Sequence, residues 1–371
     1  MELKEKTILI ISSLAWGVSF PERQHYAREL AKKGNSVYFL NPPSKNAAAT
    51  ELSENLYVVD YKEKIGLAGL FGFSGESTQI KKILSLINKK IDIVWSFDTT
   101  RFGDLTKFGA ALKLFSIEEW TMAENLEKEL ANSADLVLGL SQPLLDKLGN
   151  IKGQKQLFHH ALSAAYLDAH NKKKFIRANT QFATGRIRCG YIGNLQNKYI
   201  DTAAFEIIIR QNPVVEFHLI GPFVKDSNLA NSENKTWEDP FVEFLMSAPN
   251  VRMYGSLMNV RSAEIMQTMD MFLVCYDVSK YKNEVANPQK IVEYFSTGHI
   301  VVSSYTDTFV PHKDLMLMTD SNEDLPKVFH KAVSDLERLN HPEKAKARID
   351  FSLAHTYDKQ LNVLEQILNK L

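Results

Sequence analysis

Apolar residues in this chain gather into short continuous runs separated by stretches of helical spacing. The first run covers residues 8–12, an amphipathic pattern follows at 22–33 and closes at Gly34, and a second run occupies 37–40. A run of strand length, a helix and another run make a βαβ unit, and runs that are apolar at every position belong to strands covered on both faces. Further runs at 56–59, 91–95, 112–117 and 136–140 extend the first half into a parallel sheet. Between about residues 162 and 186 the periodicity lapses, and the polar, basic segment 171–179 reads as a connection between domains. Strand-like runs resume at 187–192, 215–220, 251–254, 271–276 and 300–303, with helices expected at 201–211 and 261–269, so the second half is another βα sheet. The pattern from 342 to 371 predicts one long terminal helix whose Leu361, Leu364 and Ile367 must dock on an existing surface.

One stretch is unusually well punctuated. In residues 287–303 a helix is expected from Pro288 to Thr297, with Asn287 as N-cap, Pro288 at the first helical position and Gly298 in the left-handed conformation beyond its end, feeding the strand 300–303. Lys290, Glu293 and Thr297 share one face, and Ile291, Val292, Tyr294 and Phe295 fill most of the remainder. Two readings fit. Lys290 and Glu293 form an i, i+3 pair at the surface, or the narrow polar face lines a ligand site whose anion meets the amides near Asn287.

Length makes two domains the starting assumption for 371 residues. Basic and acidic residues balance at 44 each, which gives no polycationic signal for nucleic acid. Cys189 and Cys275 each sit in an apolar run and read as buried reduced thiols of a reducing compartment. The apolar run near the N-terminus is far shorter than a membrane span, so a soluble cytosolic protein is expected. The segment 64–75, with four glycines among large apolar residues, suits a loop touching lipid or a hydrophobic acceptor, which would make membrane contact peripheral; an internal core loop is the alternative.

In open parallel sheets ligands bind beyond the carboxyl ends of the strands. The loop 13–20 has a glycine and two aromatics but no GxGxxG, so no dinucleotide fingerprint supports an oxidoreductase. Glu118 and Glu119 follow the run 112–117, where a carboxylate acts as a base or holds a hydroxyl; they serve equally as residues opening a helix. His159 and His160 follow a short run at 156–158 without a Cys, Asp or Glu at ligand spacing, which points to hydrogen bonding in a cleft rather than to a metal. In the second half the runs end in Gly193-Asn194-Leu195, Gly221-Pro222, Gly255-Ser256-Leu257 and Tyr276-Asp277, corners that admit a ligand close to the backbone and together form a rim. Asn194, Lys198 and Lys290 make a modest phosphate-binding set without a P-loop, and no Asp-x-Asp is present to bridge a diphosphate through a metal.

Over essentially its whole length the chain resembles the GT-B glycosyltransferases, specifically the family 4-like bacterial enzymes of surface-polysaccharide assembly. Residues 287–302 are similar to that family's pattern NPxKxxEYxAxGxPVV, supported by the segments 190–195, 217–222, 251–255 and 134–141, and by a closing 351–358 that resembles the family's terminal helix. The resemblance implies two Rossmann-like parallel-sheet domains facing a cleft: an acceptor-binding domain at 1–170, a nucleotide-sugar-binding domain at 180–345, and a terminal helix at 346–371 crossing back to the first domain. It implies a UDP- or GDP-sugar substrate, a glycan or lipid-linked acceptor, no metal or other cofactor, and a retaining outcome by analogy. By position, Glu293 would take the ribose hydroxyls, the backbone of Gly255, Ser256 and Leu257 the base, and Asn194, Lys198, Lys290 and the amides near Asn287 the diphosphate beside Gly193. Glu118 or Glu119 and the turn at His160-Ala161 correspond to the family's catalytic residues of the first domain. The chain departs from many relatives in that Val285 stands eight residues before Glu293, where E-x7-E has its first glutamate, and Glu284 is one place off register. Asn194 stands where a basic residue is usual. A catalytically degenerate binding or scaffolding protein and a nucleotide-sugar epimerase are the other uses of this fold that fit these residues.

Overall fold

The computed structural model describes residues 1–17, 22–62, 74–118, 124–173, 185–223 and 239–371. The chain divides into two compact units, Met1–His160 with Tyr357–Leu371, and Ala161–Thr356.

In the first unit, β1 (Thr7–Ile11), β2 (Ser36–Leu40), β3 (Ala48–Ser53), β4 (Leu56–Asp60), β5 (Ile93–Ser96), β6 (Leu112–Ile117), β7 (Leu136–Gly139) and β8 (Gln154–Leu157) build an eight-stranded sheet in the order β3-β4-β2-β1-β5-β6-β7-β8. Every pairing is parallel except β3 with β4. The strands expected from apolar runs are there. β3 was not expected: its sequence AATELS has no apolar run, and as an exposed antiparallel edge it has no core to face. The helix Tyr357–Leu368 completes this unit, burying Leu361, Leu364 and Leu368 and setting the Tyr357 ring edge-on to Tyr26 with centroids 4.9 Å apart.

The second unit holds β9 (Ile187–Ile192), β10 (Val215–Ile220), β11 (Val251–Met253), β12 (Met271–Val274), β13 (Ile300–Ser303) and the short β14 (Leu317–Met318), all parallel, in the order β11-β10-β9-β12-β13-β14. Cys189 and Cys275 are buried free thiols here, and burial pushes both well above their ordinary pKa. Among the described residues no helix is long and apolar enough to cross a membrane. The segment 63–73, which includes most of the glycine-rich loop expected to reach lipid, lies outside the described residues.

The single terminal helix expected over 342–371 is in fact two, Pro342–Ala354 and Tyr357–Leu368. The break has a local cause. His355 turns its Nδ1 onto the Phe351 carbonyl at 2.7 Å, and its own carbonyl accepts from the Leu162 amide at 2.7 Å, where Leu162 and Thr356 form a parallel bridge. A carbonyl engaged sideways no longer continues a helix. The chain passes from the second unit to the first at this point.

Arg348, on the first of these helices, is 1% exposed and donates to the carbonyls of Leu315 (2.7 Å), Gly298 (3.0 Å) and Leu339 (2.9 Å). Burial lowers its pKa to about 10, so it remains a cation at neutral pH. Arg348→Ala strands three buried acceptors, and a loss of about 3–5 kcal/mol is expected in urea unfolding. Arg348→Lys should recover only part, because an ammonium cannot span three diverging carbonyls as a guanidinium does.

Candidate functional site

Three strand-end glycines meet at the carboxyl edge of the second sheet. The Gly193 amide, after β9, donates to Ile220 O, and the Gly221 amide, after β10, donates to Gly255 O, both at 2.9 Å, so the loops continue the ladder past the strands. A Cβ on Gly221 would fall 2.0 Å from Gly193 O, and both residues have positive φ, +143° and +153°. Only glycine fits so close a backbone approach. The rim expected from the loop sequences is therefore one hydrogen-bonded structure at Gly193, Gly221 and Gly255.

The helix beside it is shorter than expected. The α-helix is Lys290–Phe295 rather than 288–297, because the flanking bonds, from Ile291 to Pro288 and from Gly298 to Phe295, close tighter i→i−3 turns. Asn287 is not its N-cap: Gln289 holds that position, already in helical conformation and without a side-chain cap bond. Gly298 takes φ +80°, as expected of a residue ending a helix. The carboxyl end is held by side chains, with His170 Nδ1 on Ser296 O at 2.7 Å, Lys173 Nζ on Thr297 O and Arg348 Nη1 on Gly298 O at 3.0 Å. These carbonyls carry the negative end of the helix dipole, and the Lys173 and Arg348 cations are partners that suit it. Tyr294 fixes the other relation that matters, since its hydroxyl accepts from the Ile192 amide at 2.8 Å and its ring stacks on Phe272 at 4.2 Å. The helix is thereby tied to the end of β9, next to Gly193.

Lys290 points into this corner. Its ammonium lies 4.2 Å from the Tyr191 ring centroid and 5.1 Å from that of Tyr276, and a Cβ on Gly193 would come within 2.8 Å of it. Burial alone would lower its pKa, but the neighbouring Tyr191 and Tyr276 hydroxyls outweigh burial and raise it, which keeps Lys290 charged at neutral pH. The surface pair with Glu293 does not form: the groups acting on Lys290 are tyrosines, and Glu293 lies by Tyr166, whose hydroxyl is raised first by burial and then by the Glu293 charge.

Asn194 is exposed and accepts from the Gln196 amide at 2.9 Å, a local turn, and Lys198 is exposed with its ammonium 5.5 Å from the Tyr199 ring. Ser256 is exposed, while Leu257 packs on the core cluster that also contains Val285. Val285 is 4% exposed and Glu284 is exposed, so the position that departs from E-x7-E is an apolar packing site. Tyr276 was read only as a strand-end corner of the rim, and Tyr191 and Tyr294 were missed as site residues because one sits in an apolar run and the other on the apolar face of the helix, where each reads as core. Among the described residues no three His, Cys, Asp or Glu side chains come together as a metal site.

In the first unit, Glu118 Oε2 is 3.1 Å from Arg23 Nη1, and His160 Nδ1 is 2.6 Å from Glu22 Oε1. Glu22 and Arg23 were read only as helix residues. Glu119 lies outside the described residues.

No family model matches the chain, and no curated protein matches it in sequence. Solved structures do align with it along almost its full length. The complex of Anabaena HepE with UDP and glucose aligns with a TM-score of 0.69 at 11% identity, covering 99% of this chain and 100% of that one. Sucrose-phosphate synthase from Thermosynechococcus elongatus aligns at 0.67 and 11% identity, covering 98% of each chain. The N-terminal domain of Candida albicans trehalose-6-phosphate phosphatase aligns at 0.70 and 13% identity, covering 100% of this chain and 98% of that one. The fold is GT-B. Identities this low speak for the fold alone, and they agree with the two parallel-sheet Rossmann-like units and the returning terminal helix of this GT-B chain.

Two outcomes follow from the rim. Gly221→Ala drives a methyl into the Gly193 carbonyl and should cost at least about 3 kcal/mol, whereas Gly255→Ala, where the nearest atom is 3.8 Å away, should cost only about 1 kcal/mol for its positive φ; parallel urea titrations read the difference. Beneath the rim, buried His218 bonds Tyr254 Oη at 2.8 Å through Nδ1 and Glu216 Oε2 at 3.1 Å through Nε2. Burial lowers its pKa against the opposing pull of Glu216. Below about pH 6.5 the unfolded chain therefore binds more protons at this histidine than the folded one, and stability falls as pH drops. His218→Gln, which does not titrate, should flatten the slope of unfolding free energy between about pH 7 and pH 5.

Proposed function

We propose that this protein is a glycosyltransferase that moves a hexose-type sugar from a nucleoside-diphosphate sugar to a glycan or lipid-linked acceptor, in the manner of the surface-polysaccharide enzymes its 287–302 segment resembles. The observation that carries the reading is Lys290, a partly buried cation whose neighbours are the rings and hydroxyls of Tyr191 and Tyr276 and glycine backbone rather than a carboxylate. Such a charge is best matched by an anion that arrives from outside, and a diphosphate leaving group is one. The glycine rim lets that anion approach the backbone closely. HepE, of the same fold, binds UDP and glucose in its crystal.

In this reading Lys290 and the Gly193 amide region stabilise the departing diphosphate, with Asn194, Lys198 and the backbone near Asn287 alongside. Glu293 takes the ribose hydroxyls, a role for an acceptor-only carboxylate, and the Gly255, Ser256 and Leu257 backbone faces the base. Charge stabilisation by Lys290 makes a metal unnecessary to the leaving group. Val285, packed in the core, favours a second reading in which the chain binds a nucleotide sugar or partner without transferring.

Calorimetry with UDP, GDP and uridine tests the donor site. Lys290→Gln should weaken UDP or GDP binding by roughly 10–100-fold and leave uridine within about twofold, since only the diphosphate meets the ammonium. Equal losses for uridine and UDP, or no nucleotide binding by the wild-type protein, would contradict it. Turnover of a panel of radiolabelled nucleotide sugars separates the transferase from the non-transferring reading.

A further inference from the structure

Every residue from Ile291 to Gly298 is buried except Glu293, which keeps contact with solvent. The backbone around it is fixed from several sides. Ser352 Oγ donates to Val292 O at 2.7 Å, the Tyr294 hydroxyl accepts from the Ile192 amide, and His170 and Lys173 reach Ser296 O and Thr297 O. These bonds leave the direction of the Glu293 carboxylate unset, because a solvent-facing glutamate has three rotatable side-chain bonds and is not confined to one rotamer.

Tyr166 acts on that carboxylate. It lies one turn before His170 on the helix Ala164–Asn171, so the two side chains leave the same face. Its hydroxyl stands within hydrogen-bonding reach of Glu293, while His170 holds the end of the same short helix. Tyr166 is 3% exposed, and burial, then the Glu293 charge, pushes its pKa well above the usual phenol range, which keeps it a neutral donor at physiological pH. It belongs to the apolar cluster of Phe272, Phe295 and Phe309, where a phenylalanine would pack as well. Carrying a hydroxyl into such surroundings is unfavourable unless a hydrogen bond compensates, and the carboxylate supplies one.

An ionised carboxylate has roughly four lone-pair sites, so a donor on one of them sets its orientation without exhausting it. Two hydroxyls on adjacent carbons can both donate to one carboxylate only when it is aligned with them, and a side chain already ordered loses less entropy on binding. We propose that Tyr166 is a positioning residue for the nucleoside: it holds Glu293 in the orientation that accepts the paired 2′ and 3′ hydroxyls of a ribose, and so makes the site select ribonucleotides. The inference rests on the donor reading above, in which Glu293 takes the ribose, and adds the residue that sets how well it does so.

Calorimetry with UDP and 2′,3′-dideoxy-UDP tests it, on the wild type, Tyr166→Phe, Glu293→Ala, the double variant and His170→Gln, with thermal unfolding alongside. The wild type should bind UDP about 10–100-fold more tightly than the dideoxy compound, the range expected of hydrogen bonds to a charged group. Tyr166→Phe should reduce that preference about three- to tenfold while dideoxy-UDP keeps its affinity within about twofold. With Glu293→Ala in place the preference should be largely gone, and adding Tyr166→Phe should change it by less than about twofold, because the phenol acts only through the carboxylate. His170→Gln loosens the same helix at its carboxyl end and should lower the unfolding temperature and weaken both ligands in equal proportion. Equal weakening of both ligands in Tyr166→Phe, or an unchanged preference, overturns the positioning role. A wild type that binds UDP and dideoxy-UDP alike also overturns it and leaves the diphosphate contact of Lys290 standing, whereas a wild type that binds neither overturns the donor reading and this inference together.

Discussion

A single charge, the ammonium of Lys290, sets the demands on the second unit. Cation–ring contacts contribute about 0.5–2 kcal/mol each, and the Tyr191 and Tyr276 hydroxyls add hydrogen bonds, so the ammonium is held by neutral groups with no carboxylate among them. Space for it exists because Gly193 has no Cβ, and Gly193 can sit there because Gly221 has none. The helix that carries Lys290 is only six residues long and could not hold its orientation by its own hydrogen bonds. Tyr294 pins it to the end of β9, and His170, Lys173 and Arg348 engage the three carbonyls at its other end. Packing, glycine corners and cationic caps thus converge on one side-chain position.

Much of this was legible in the residue pattern. Buried parallel strands announce themselves as continuous apolar runs, and the runs located the core strands of both sheets. Gly298 declared its conformation because few other residues adopt positive φ without cost. The strand β3 was invisible because an exposed polar edge leaves no apolar signature. The break at His355 was missed because its cause, the Leu162 amide, is remote in sequence. The tyrosine cage was hidden for a related reason: a tyrosine in an apolar run looks like core, and only the spatial neighbourhood of Lys290 shows what its ring and hydroxyl do. Asn287 followed the rules of an N-cap but was displaced by a tighter turn at Pro288 and Gln289.

The two units differ in the chemistry they offer. In the second, a cation stands among rings and backbone, a setting for an anion. In the first, Glu22 is paired with His160 and Glu118 with Arg23, so that each cluster charge already faces an opposite or hydrogen-bonding group. Val285 fits the same division, since it packs in the apolar cluster that holds Tyr276 and Tyr294 and places no carboxylate there.

The most direct measurement is a crystal structure of the full chain with UDP bound. The account predicts the diphosphate against Gly193 with a phosphate oxygen within hydrogen-bond distance of Lys290 Nζ, and the ribose hydroxyls on Glu293. UDP bound elsewhere, or a Lys290 ammonium still enclosed by Tyr191 and Tyr276 with no phosphate contact, would contradict it.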